Sequence, residues 1–438
     1  MSSAPALTAS RIRAHIEHEV ADPLLRSAYS LVLNVVLTSI LGFGFWIAAA
    51  RLVPASTVGR DSALISAMIT LSLIGQLNLH FGVLRFLPIV KIDAARAVIG
   101  AYTATAVFTV VIGSLFVLLA PGVAHNYRFL RADVALGASF VVAMALWGIF
   151  ALQDSVLTAL RGAPWIPLEN ATFGVLKIAG MVALFVLGAS HPVFLAWVIP
   201  MALLLIPVNY LIFAKIIPSR PERGSEASPV ERFGWSGLRR FFVHEYLAGI
   251  FMQATSTIVP VLVVGLLGTT QNAYFYISFT IVGAFDLLVL NIASSLTVEG
   301  AISESSLPRL TLLVVRRFGA ALIVGVAVLI AGASWFLLPF GADYVHGGAS
   351  VLRLLACASA FRAIIALHVV RARIEGSTVR VLAIQASTFT LVVALSVVLG
   401  QAHGIQGIAM AWLIANAVIG CVAAPRVLQT LHTAKGTV

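Results

Sequence analysis

The sequence has few charged residues and little chemistry of the kind that enzymes use. Only 10% of its 438 residues are Asp, Glu, Lys or Arg, whereas soluble domains carry about 25%. Its two cysteines, Cys357 and Cys421, both lie inside apolar runs, so a disulfide framework and a cysteine metal site are excluded. The motifs G-x-x-x-x-G-K-S/T, H-E-x-x-H and G-x-S-x-G are absent, which excludes a P-loop ATPase and gives no sign of a hydrolase.

Long apolar runs make up most of the chain, since 60% of the residues are hydrophobic. Runs of twenty or more residues can cross the ~30 Å hydrocarbon layer as helices, in which every backbone group is paired internally. We predict an all-α polytopic membrane protein with twelve transmembrane helices and no cofactor or metal. The predicted spans are 27–53, 57–86, 95–120, 132–160, 165–190, 192–218, 238–267, 270–298, 308–338, 347–375, 378–400 and 404–430.

Basic residues set the predicted orientation. With both termini inside, the inner segments hold 21 of the 28 Lys and Arg residues, the outer segments hold four, and three lie within spans. Because positive charge stays on the cytoplasmic side, we predict cytoplasmic termini. The net charge of +11 then reflects membrane topology, and we expect no nucleic-acid partner. The excess of Arg over Lys is typical of a GC-rich bacterial genome, so the predicted location is the bacterial cytoplasmic membrane.

The chain is predicted to have two lobes. A polar segment at 219–235 reads as a cytoplasmic linker between an N-lobe at 27–218 and a C-lobe at 236–432. Apolar residues at every fourth position predict an interfacial amphipathic helix within 1–26, and 433–438 forms a cytoplasmic tail. Three pairs of segments repeat at offsets of 214 or 215: Leu52–Gly59 with Leu266–Ala273, Ala159–Gly162 with Arg373–Gly376, and Ala196–Trp197 with Ala411–Trp412. Two six-helix halves have the same orientation, so this parallel repeat predicts a substrate cavity between the lobes.

Charged side chains inside the spans are the main candidates for function, because charge in the bilayer normally faces a cavity or a partner. Lys177 and Arg362 lie near mid-membrane, and Arg353 lies nearer the outer end of the same helix as Arg362, on its opposite face. Asp286 is the one clearly mid-membrane acid. One interpretation is a cationic cavity for an anionic substrate, with Asp286 as counter-ion or coupling acid. The other is that Asp286 pairs with Arg362 or Lys177 and only holds helices together.

Further candidates are polar side chains near the cavity and carboxylates near the helix ends. Asp154 and Glu169, beside Arg161, predict an ion-pair network in a cytoplasmic gate, and Asp61 could be a charged helix start. Polar residues on one face of helices 1 and 7 are candidates for lining the cavity: Asn34, Thr38, Ser39, Gln253 and Ser256. The alternative for these stripes is close helix packing, which small and polar residues also promote in lipid.

One segment resembles a known family. From Gly42 the sequence reads G-F-G-F-W-I-A-A-A-R-L-V-P-A-S-T-V-G, followed by S-A-L-I-S and then F-G-V-L-R-F-L-P, which ends at Pro88. This stretch resembles the N-terminal signature of polysaccharide-biosynthesis flippases, the O-antigen and teichoic-acid exporter branch of the multidrug/oligosaccharidyl-lipid/polysaccharide (MOP) superfamily. Val53 stands where the family usually has Gly. The similarity covers about fifty residues, and the six-plus-six plan covers the remainder.

The resemblance implies a fold like that of multidrug-and-toxin extruders (MATE). It implies a substrate made of a saccharide on a polyprenyl (pyro)phosphate, flipped by alternating access for cell-surface polysaccharide synthesis. Lys177 and Arg362 would contact phosphate or acidic sugar, and Arg85 would attract the head group at the cytoplasmic mouth. Arg353 is a further candidate for substrate binding, but Arg362 is favoured because it lies deeper and the two cannot both point into one cavity. Driving ions would be protons or sodium, and partners would be membrane lipids and glycosyltransferases or polymerases.

Four alternatives stay open. A cation-coupled drug exporter on the same fold would need intramembrane carboxylates, of which Asp286 is the one clear case. A major-facilitator transporter would carry G-x-x-x-D-R-x-G-R-R after helix 2, which the segment from Arg85 to Asp93 does not match. A non-transporting scaffold of a cell-wall polymerising complex is the third. A membrane enzyme is the fourth, and the short outer loops with few acidic residues argue against it.

Overall fold

Helices account for almost all of the chain that the structure describes. The computed structural model covers residues 23–77, 79–87, 94–218, 235–302 and 307–436. Its long helices are α1 (Pro23–Leu52), α2 (Ala55–Gly75), α3 (Ala94–Val123), α4 (Val134–Ala159), α5 (Ile166–Val186), α6 (Pro192–Tyr210), α7 (Trp235–Leu267), α8 (Thr269–Ile302), α9 (Leu307–Ala331) and α10 (Ala342–Ile374). Those ranges contain no strand, which confirms the predicted all-α class.

The last helical stretch is two helices joined by a kink. Thr378–Gly436 has non-helical backbone angles at His403 and Gly404, and these divide it into α11 (378–402) and α12 (405–436). Gly404 takes a positive φ of 61°, a conformation that costs little without a Cβ atom. The kink therefore lies where the sequence predicts the boundary between the last two spans.

Eight of the described helices are long and apolar enough to cross a membrane. A ninth qualifies if Gly319–Ala331 and Ala333–Phe340, which meet at a bend of 71°, form one span. In this number 378–429 is a single helix, and α1 is not included, since its apolar stretch within the described residues, Leu37–Leu52, is shorter than a full span. The helices α1 to α12 follow the order of the twelve predicted apolar runs. Residues 1–22 of the predicted interfacial segment 1–26 and residues 219–234 of the predicted linker 219–235 lie outside the described residues. The described helices α1 and α7 begin at Pro23 and Trp235, so they include the last residues of both predicted segments.

Two predicted spans are interrupted, which corrects the sequence interpretation. The span at 57–86 ends as α2 at Gly75 and resumes as a short helix, Leu79–Phe86, after Leu77 takes a positive φ of 50°. The Gln76 amide donates to the Gly148 carbonyl of α4 at 3.1 Å, which anchors the break against a neighbour. The span at 308–338 ends as α9 at Ala331, before the bend at Gly332. Breaks of this kind are tolerated at membrane depth where protein surrounds them.

Two groups of helices meet at α2. Within the first six helices, α1 packs on α5, α3 on α4, and α5 on α6. Within the last six, α8 packs on α10, α9 packs on α10, and α7 packs on the stretch 378–436 that contains α11 and α12. Helix α2 contacts both α7 and α8, and 72% of its apolar window is buried, against 17% for α3. Helix α2 is therefore a central element, whereas α3 presents most of its surface to lipid.

The start of α2 meets the start of α8, where the repeat-related segments 52–59 and 266–273 enter these helices. Asn272 donates to the Gly59 carbonyl at 2.7 Å and to the Ser62 hydroxyl at 3.1 Å. The approach is so close that a Cβ atom on Gly59 would lie 1.7 Å from the Thr269 carbonyl oxygen. Helix pairs in lipid depend on such small residues because hydrophobic driving force is weak there. The two repeat-related turns thus hold the lobes together at the predicted outer end.

Candidate substrate cavity

A cavity of about 550 Å³ lies between the two groups of helices. Its walls come from α1 and α2 on one side and from α7, α8, α10, α11 and α12 on the other. The predicted polar stripes face it, with Thr38 and Ser39 on α1 and with Gln253 and Ser256 on α7. The structure brings these four residues together, which fits the cavity-lining interpretation of both stripes. The side chain of Asn34 lies outside the described residues.

Aromatic rings form much of the remaining wall. Trp46 of α1 lies 4.7 Å from Tyr276 of α8, centroid to centroid, and Phe279 of α8 packs edge-on against Trp412 of α12 at 5.1 Å. All four residues line the cavity. Aromatic faces offer apolar area with little loss of side-chain freedom, and they attract cations and polar CH groups alike. The sequence alone did not single out these rings, although the Trp412 position belongs to the internal repeat.

A buried ion pair stands in the cavity wall. Arg362 Nε lies 3.0 Å from Asp286 Oδ2, and these side chains are 22% and 9% exposed. The guanidinium carbon is also 4.9 Å from the centre of the Trp412 ring. One oxygen of the acid, Asp286 Oδ1, has no hydrogen-bond partner in the described structure. Each of these two charges needs the opposite charge beside it, because the desolvation of either ion alone costs several kcal/mol. The structure therefore brings together the predicted basic residue and the predicted counter-ion.

Lys177 is not part of this pair. Its ammonium lies among three aromatic rings of α1, α5 and α6: 4.2 Å from the Trp197 ring centre, 4.8 Å from Phe45 and 5.1 Å from Phe173. The residue is 6% exposed and is not among the residues that line the described cavity. The expectation that Lys177 and Arg362 share one cationic cavity is therefore not met in this conformation.

The internal repeat explains a similarity between these two cations. Trp197 and Trp412, which the repeat places at an offset of 215, each lie against a membrane-embedded cation, Lys177 in one lobe and Arg362 in the other. The cations themselves come from helices α5 and α10, which are not equivalent in the repeat. The tryptophan is thus the shared element, and each lobe adds its own cation.

A second arginine of α10 lines the cavity at its predicted cytoplasmic end. Arg373 Nη2 lies 3.3 Å from Glu245 Oε2 of α7, and these side chains are 38% and 17% exposed. Beyond it, Glu375 accepts from Arg371 at 2.6 Å and from Arg380 at 2.5 Å. Sequence reasoning counted these arginines only as topology signals. The eleven-residue spacing of Arg362 and Arg373, which gives one helical face, could have identified the second residue.

The other two predicted basic residues lie elsewhere. Arg353 donates from Nε to the Ile330 carbonyl of α9 at 3.3 Å, so it faces a neighbouring helix, as its opposite-face position predicts. It is not a lining residue of the cavity. The side chain of Arg85 lies outside the described residues, and its predicted place at the cytoplasmic mouth stays a prediction.

The predicted gate carboxylates lie within the first lobe. Glu169 of α5 is buried, and neither of its carboxylate oxygens has a hydrogen-bond partner in the described structure. Asp154 of α4 lies close enough to influence Glu169 electrostatically, and Asn170 donates to Asp154. Among the described residues neither acid pairs with Arg161, so the predicted ion-pair network is not formed there. Neither acid lines the cavity.

Asp61 has a structural place at the predicted outer end. Its carboxylate accepts from the Phe194 backbone N–H in the first turn of α6 at 3.2 Å and lies 3.4 Å from both Arg60 Nε and His191 Nδ1. His191 Nε2 in turn lies 3.4 Å from Asp133, which caps α4 through the Leu136 N–H. A carboxylate suits a helix N-terminus because it pairs with exposed N–H groups and the helix dipole. Asp61 therefore caps α6 from α2, and its own helix start is not involved.

Several solved transporter structures share this fold. An inward-facing multidrug resistance transporter of the MATE family, within the MOP superfamily, matches with a TM-score of 0.64 at 13% identity, over 94% of this chain and 99% of the other. Its outward-facing conformation gives a TM-score of 0.60 at 14% identity, over 94% and 96%. The lipid II flippase MurJ, in an inward closed conformation, gives 0.61 at 16% identity, over 92% and 87%.

Sequence comparison adds no nearer relative. No protein-family model matches the chain, and no curated protein sequence matches it. At identities of 13–16% the structural likeness carries the fold alone. The chain therefore has the multi-pass membrane fold that MATE transporters and MurJ share.

Proposed function

We propose that this protein is a flippase that moves a polyprenyl-(pyro)phosphate-linked saccharide across the cytoplasmic membrane by alternating access. The observation that carries the proposal is the position of Arg362 in the wall of an interlobe cavity. Its guanidinium is held by Asp286 and by the Trp412 ring. Arginine binds phosphate oxygens through two parallel charge-assisted hydrogen bonds. An anionic cargo would take over the bond that Asp286 now accepts.

The rest of the cavity wall suits the saccharide part of this cargo. The hydroxyl and amide groups of Thr38, Ser39, Gln253 and Ser256 offer hydrogen bonds. The partly exposed rings of Phe43 and Phe279 offer apolar faces on which a sugar ring can pack. The lipid tail would stay in the bilayer between the lobes. One of the fold neighbours is itself a lipid II flippase, which makes a lipid-linked cargo compatible with this architecture.

Export of cationic drugs is the second candidate. The aromatic wall and the carboxylate of Asp286 would suit an organic cation, and other fold neighbours are multidrug resistance transporters. Against this candidate, Arg362 already neutralises Asp286 at 3.0 Å, and the other charged group that lines the wall is also a guanidinium, that of Arg373, which is paired with Glu245. A drug cation would have to enter a cavity whose described lining carries two guanidinium groups and one carboxylate.

The remaining expectations belong to the same proposal. The protein would act as a transporter and not as an enzyme, in the bacterial cytoplasmic membrane with both termini inside. A proton or sodium gradient would drive it, with Asp286 as the coupling acid. Glycosyltransferases or polymerases of cell-surface polysaccharide synthesis would act before and after it.

Lipid analysis of the host tests the proposal. We would deplete the protein, extract lipids and quantify polyprenyl-linked saccharides by mass spectrometry. We expect one lipid-linked saccharide to accumulate while the matching surface glycan is lost, and re-expression of the wild-type chain should reverse both changes. If instead no such lipid accumulates and the cells become sensitive to cationic drugs, the exporter on the same fold replaces this proposal.

A further inference from the structure

Two arginines form a row along one face of α10. Arg362 and Arg373 are eleven residues apart, so they point within about 20° of each other and lie about 17 Å apart along the helix axis. Both line the same cavity, and the wall between them on α10 is apolar: Ile365, Ala366, Val369 and Val370. The row therefore runs from the middle of the cavity to its predicted cytoplasmic mouth.

Each arginine in the row is paired with a carboxylate from a helix that faces α10. Arg362 pairs with Asp286 of α8 at 3.0 Å, and Arg373 pairs with Glu245 of α7 at 3.3 Å. A carboxylate and a phosphate group compete for the same guanidinium hydrogen bonds. Each pair is therefore a site where an anionic ligand can displace the acid. The pair at the predicted cytoplasmic mouth is the more accessible, with the Arg373 side chain 38% exposed.

The charges around Arg373 favour an anion at this end. The described residues near the mouth include four arginines, Arg371, Arg373, Arg380 and Arg426, and two carboxylates, Glu245 and Glu375. Glu375 is shared between Arg371 and Arg380, and Arg371 also donates to the Arg426 carbonyl at 2.5 Å. The described residues at this end of α10 thus carry an excess of positive charge. The Arg371 side chain points about 200° around the helix from Arg373, and its cluster is not part of the cavity lining, so these charges act at a distance by raising the local concentration of anions.

We propose that Arg373 and Glu245 form a first docking site for the phosphate groups of a lipid-linked substrate, from which the phosphates move along α10 to Arg362. The inference rests on the proposed flippase function and adds a site that this function does not require. Glu245 acts as a displaceable placeholder: it holds the arginine extended toward the cavity when no substrate is bound. On arrival the diphosphate takes over the Arg373 hydrogen bonds and Glu245 is released.

If Glu245 is a displaceable placeholder, removing Glu245 and removing Arg373 should change the Kd for a diphosphate ligand in opposite directions. We would purify the full chain in detergent micelles and titrate it with farnesyl diphosphate, a short polyprenyl diphosphate, with farnesol as the phosphate-free probe. Arg373→Gln removes the phosphate ligand, so the Kd should rise about tenfold, as expected for a lost charge-assisted bond. Glu245→Gln removes the competitor, so the Kd should fall about threefold, the size expected for a partly exposed ion pair. Arg353→Gln, on the same helix but facing α9, is the matched control and should leave the Kd unchanged.

The opposite signs separate this site from a structural bridge. If Arg373→Gln and Glu245→Gln weaken binding equally, the bridge only holds α7 against α10 and the docking site is refuted. Should Arg373→Gln fail to fold, tighter binding by Glu245→Gln still supports the proposal, and unchanged binding overturns it. If Arg362→Gln alone weakens binding, the flippase proposal stands without this site. If the wild type binds farnesol as well as farnesyl diphosphate, the flippase proposal itself fails.

Two further arms identify the source of the phosphate. Inorganic pyrophosphate tests a free anion, and nanodiscs with or without phosphatidylglycerol test a bulk membrane lipid. We expect weak binding of pyrophosphate and no effect of Arg373→Gln on association with phosphatidylglycerol. Equal losses for the diphosphate probe and for phosphatidylglycerol would assign Arg373 to bulk lipid and contradict its role in substrate docking.

Discussion

Replacing Arg362 with Gln would leave the carboxylate of Asp286 buried without the guanidinium that now lies 3.0 Å away. Leaving one partner of a buried ion pair uncompensated costs about 3–5 kcal/mol of folding free energy. The arginine is 22% exposed toward the cavity, so water can reach the pair, and we expect a cost near the lower limit, about 3 kcal/mol. Asp286→Asn should cost less, about 1 kcal/mol, because the guanidinium keeps its Trp412 ring and faces the cavity.

The double variant Arg362→Gln/Asp286→Asn distinguishes the two interpretations of this pair. With both charges removed, no ion is left buried, so we expect most of the lost stability to return. Thermal unfolding of the purified chain in detergent, followed by tryptophan fluorescence, measures this recovery. Losses that simply add in the double variant would refute the coupling, since contacting residues should be non-additive.

Function should not return with stability. Because Arg362 is the proposed phosphate ligand, the double variant should fold like the wild type and still fail to bind farnesyl diphosphate. Arg353→Gln, which faces α9 through the Ile330 carbonyl, should retain both properties. If the double variant recovers binding together with stability, the pair is a structural clasp and the cationic-cavity interpretation is wrong.

Three other perturbations follow from the structure. Lys177→Met should raise the unfolding temperature, because it removes an ammonium that lies among three aromatic rings and has no carboxylate paired with it within the described part of the chain. A fall of several degrees would indicate an anionic partner. Gly59→Ala places a Cβ atom 1.7 Å from the Thr269 carbonyl oxygen, so it should separate the starts of α2 and α8. A cysteine introduced at buried Ser62 should then react with a membrane-impermeant thiol reagent. Gly82→Ala is the control, because a Cβ atom there meets no atom within 4 Å and should leave that cysteine protected. Burial raises the pKa of Glu375, but hydrogen bonds from Arg371 and Arg380 outweigh it and hold the pKa below the usual 4.5. The carboxylate therefore stabilises the fold above pH 4.5, and this stabilisation is lost as the pH falls through the lowered pKa of the folded state. Wild type and Glu375→Gln should thus differ in unfolding temperature at pH 6 and converge in stronger acid. A difference that stays constant with pH would contradict the ion pairs.

Much of the fold could be predicted because the bilayer restricts the possible structures. Apolar runs of about twenty residues must be helices in lipid, and the sequence has twelve of them in the order of α1 to α12. The boundary between the last two spans also coincides with the kink at Gly404. The breaks after Gly75 and Ala331 could not be predicted, because they depend on contacts such as Gln76 with the Gly148 carbonyl, which bring together residues distant in sequence.

The candidate site was predicted in part for a similar reason. Charge inside a span limits the choice, so Arg362 and Asp286 could both be identified as candidates, although the sequence left open whether Asp286 pairs with Arg362 or with Lys177. The predicted depth of a residue in the membrane does not show whether its side chain faces the cavity between the lobes or the interior of its own lobe. Lys177, predicted at mid-membrane, lies among aromatic rings inside the first lobe. From the sequence, Arg373 was interpreted only as one of the basic residues that mark the cytoplasmic side, because a position near a helix end fits that role as well as it fits a place in the cavity wall. Its place in the cavity wall depends on the length of α10, whose continuous helix reaches Ile374.

Transport by the purified protein tests the central claim most directly. The full chain would be reconstituted in liposomes with a fluorescent polyprenyl-diphosphate-linked saccharide, and a membrane-impermeant quencher would report the fraction of lipid that reaches the outer leaflet. We predict transfer by the wild type, loss of transfer in Arg362→Gln, and no competition by organic cations. Absence of transfer together with saturable uptake of a cationic drug would contradict the account.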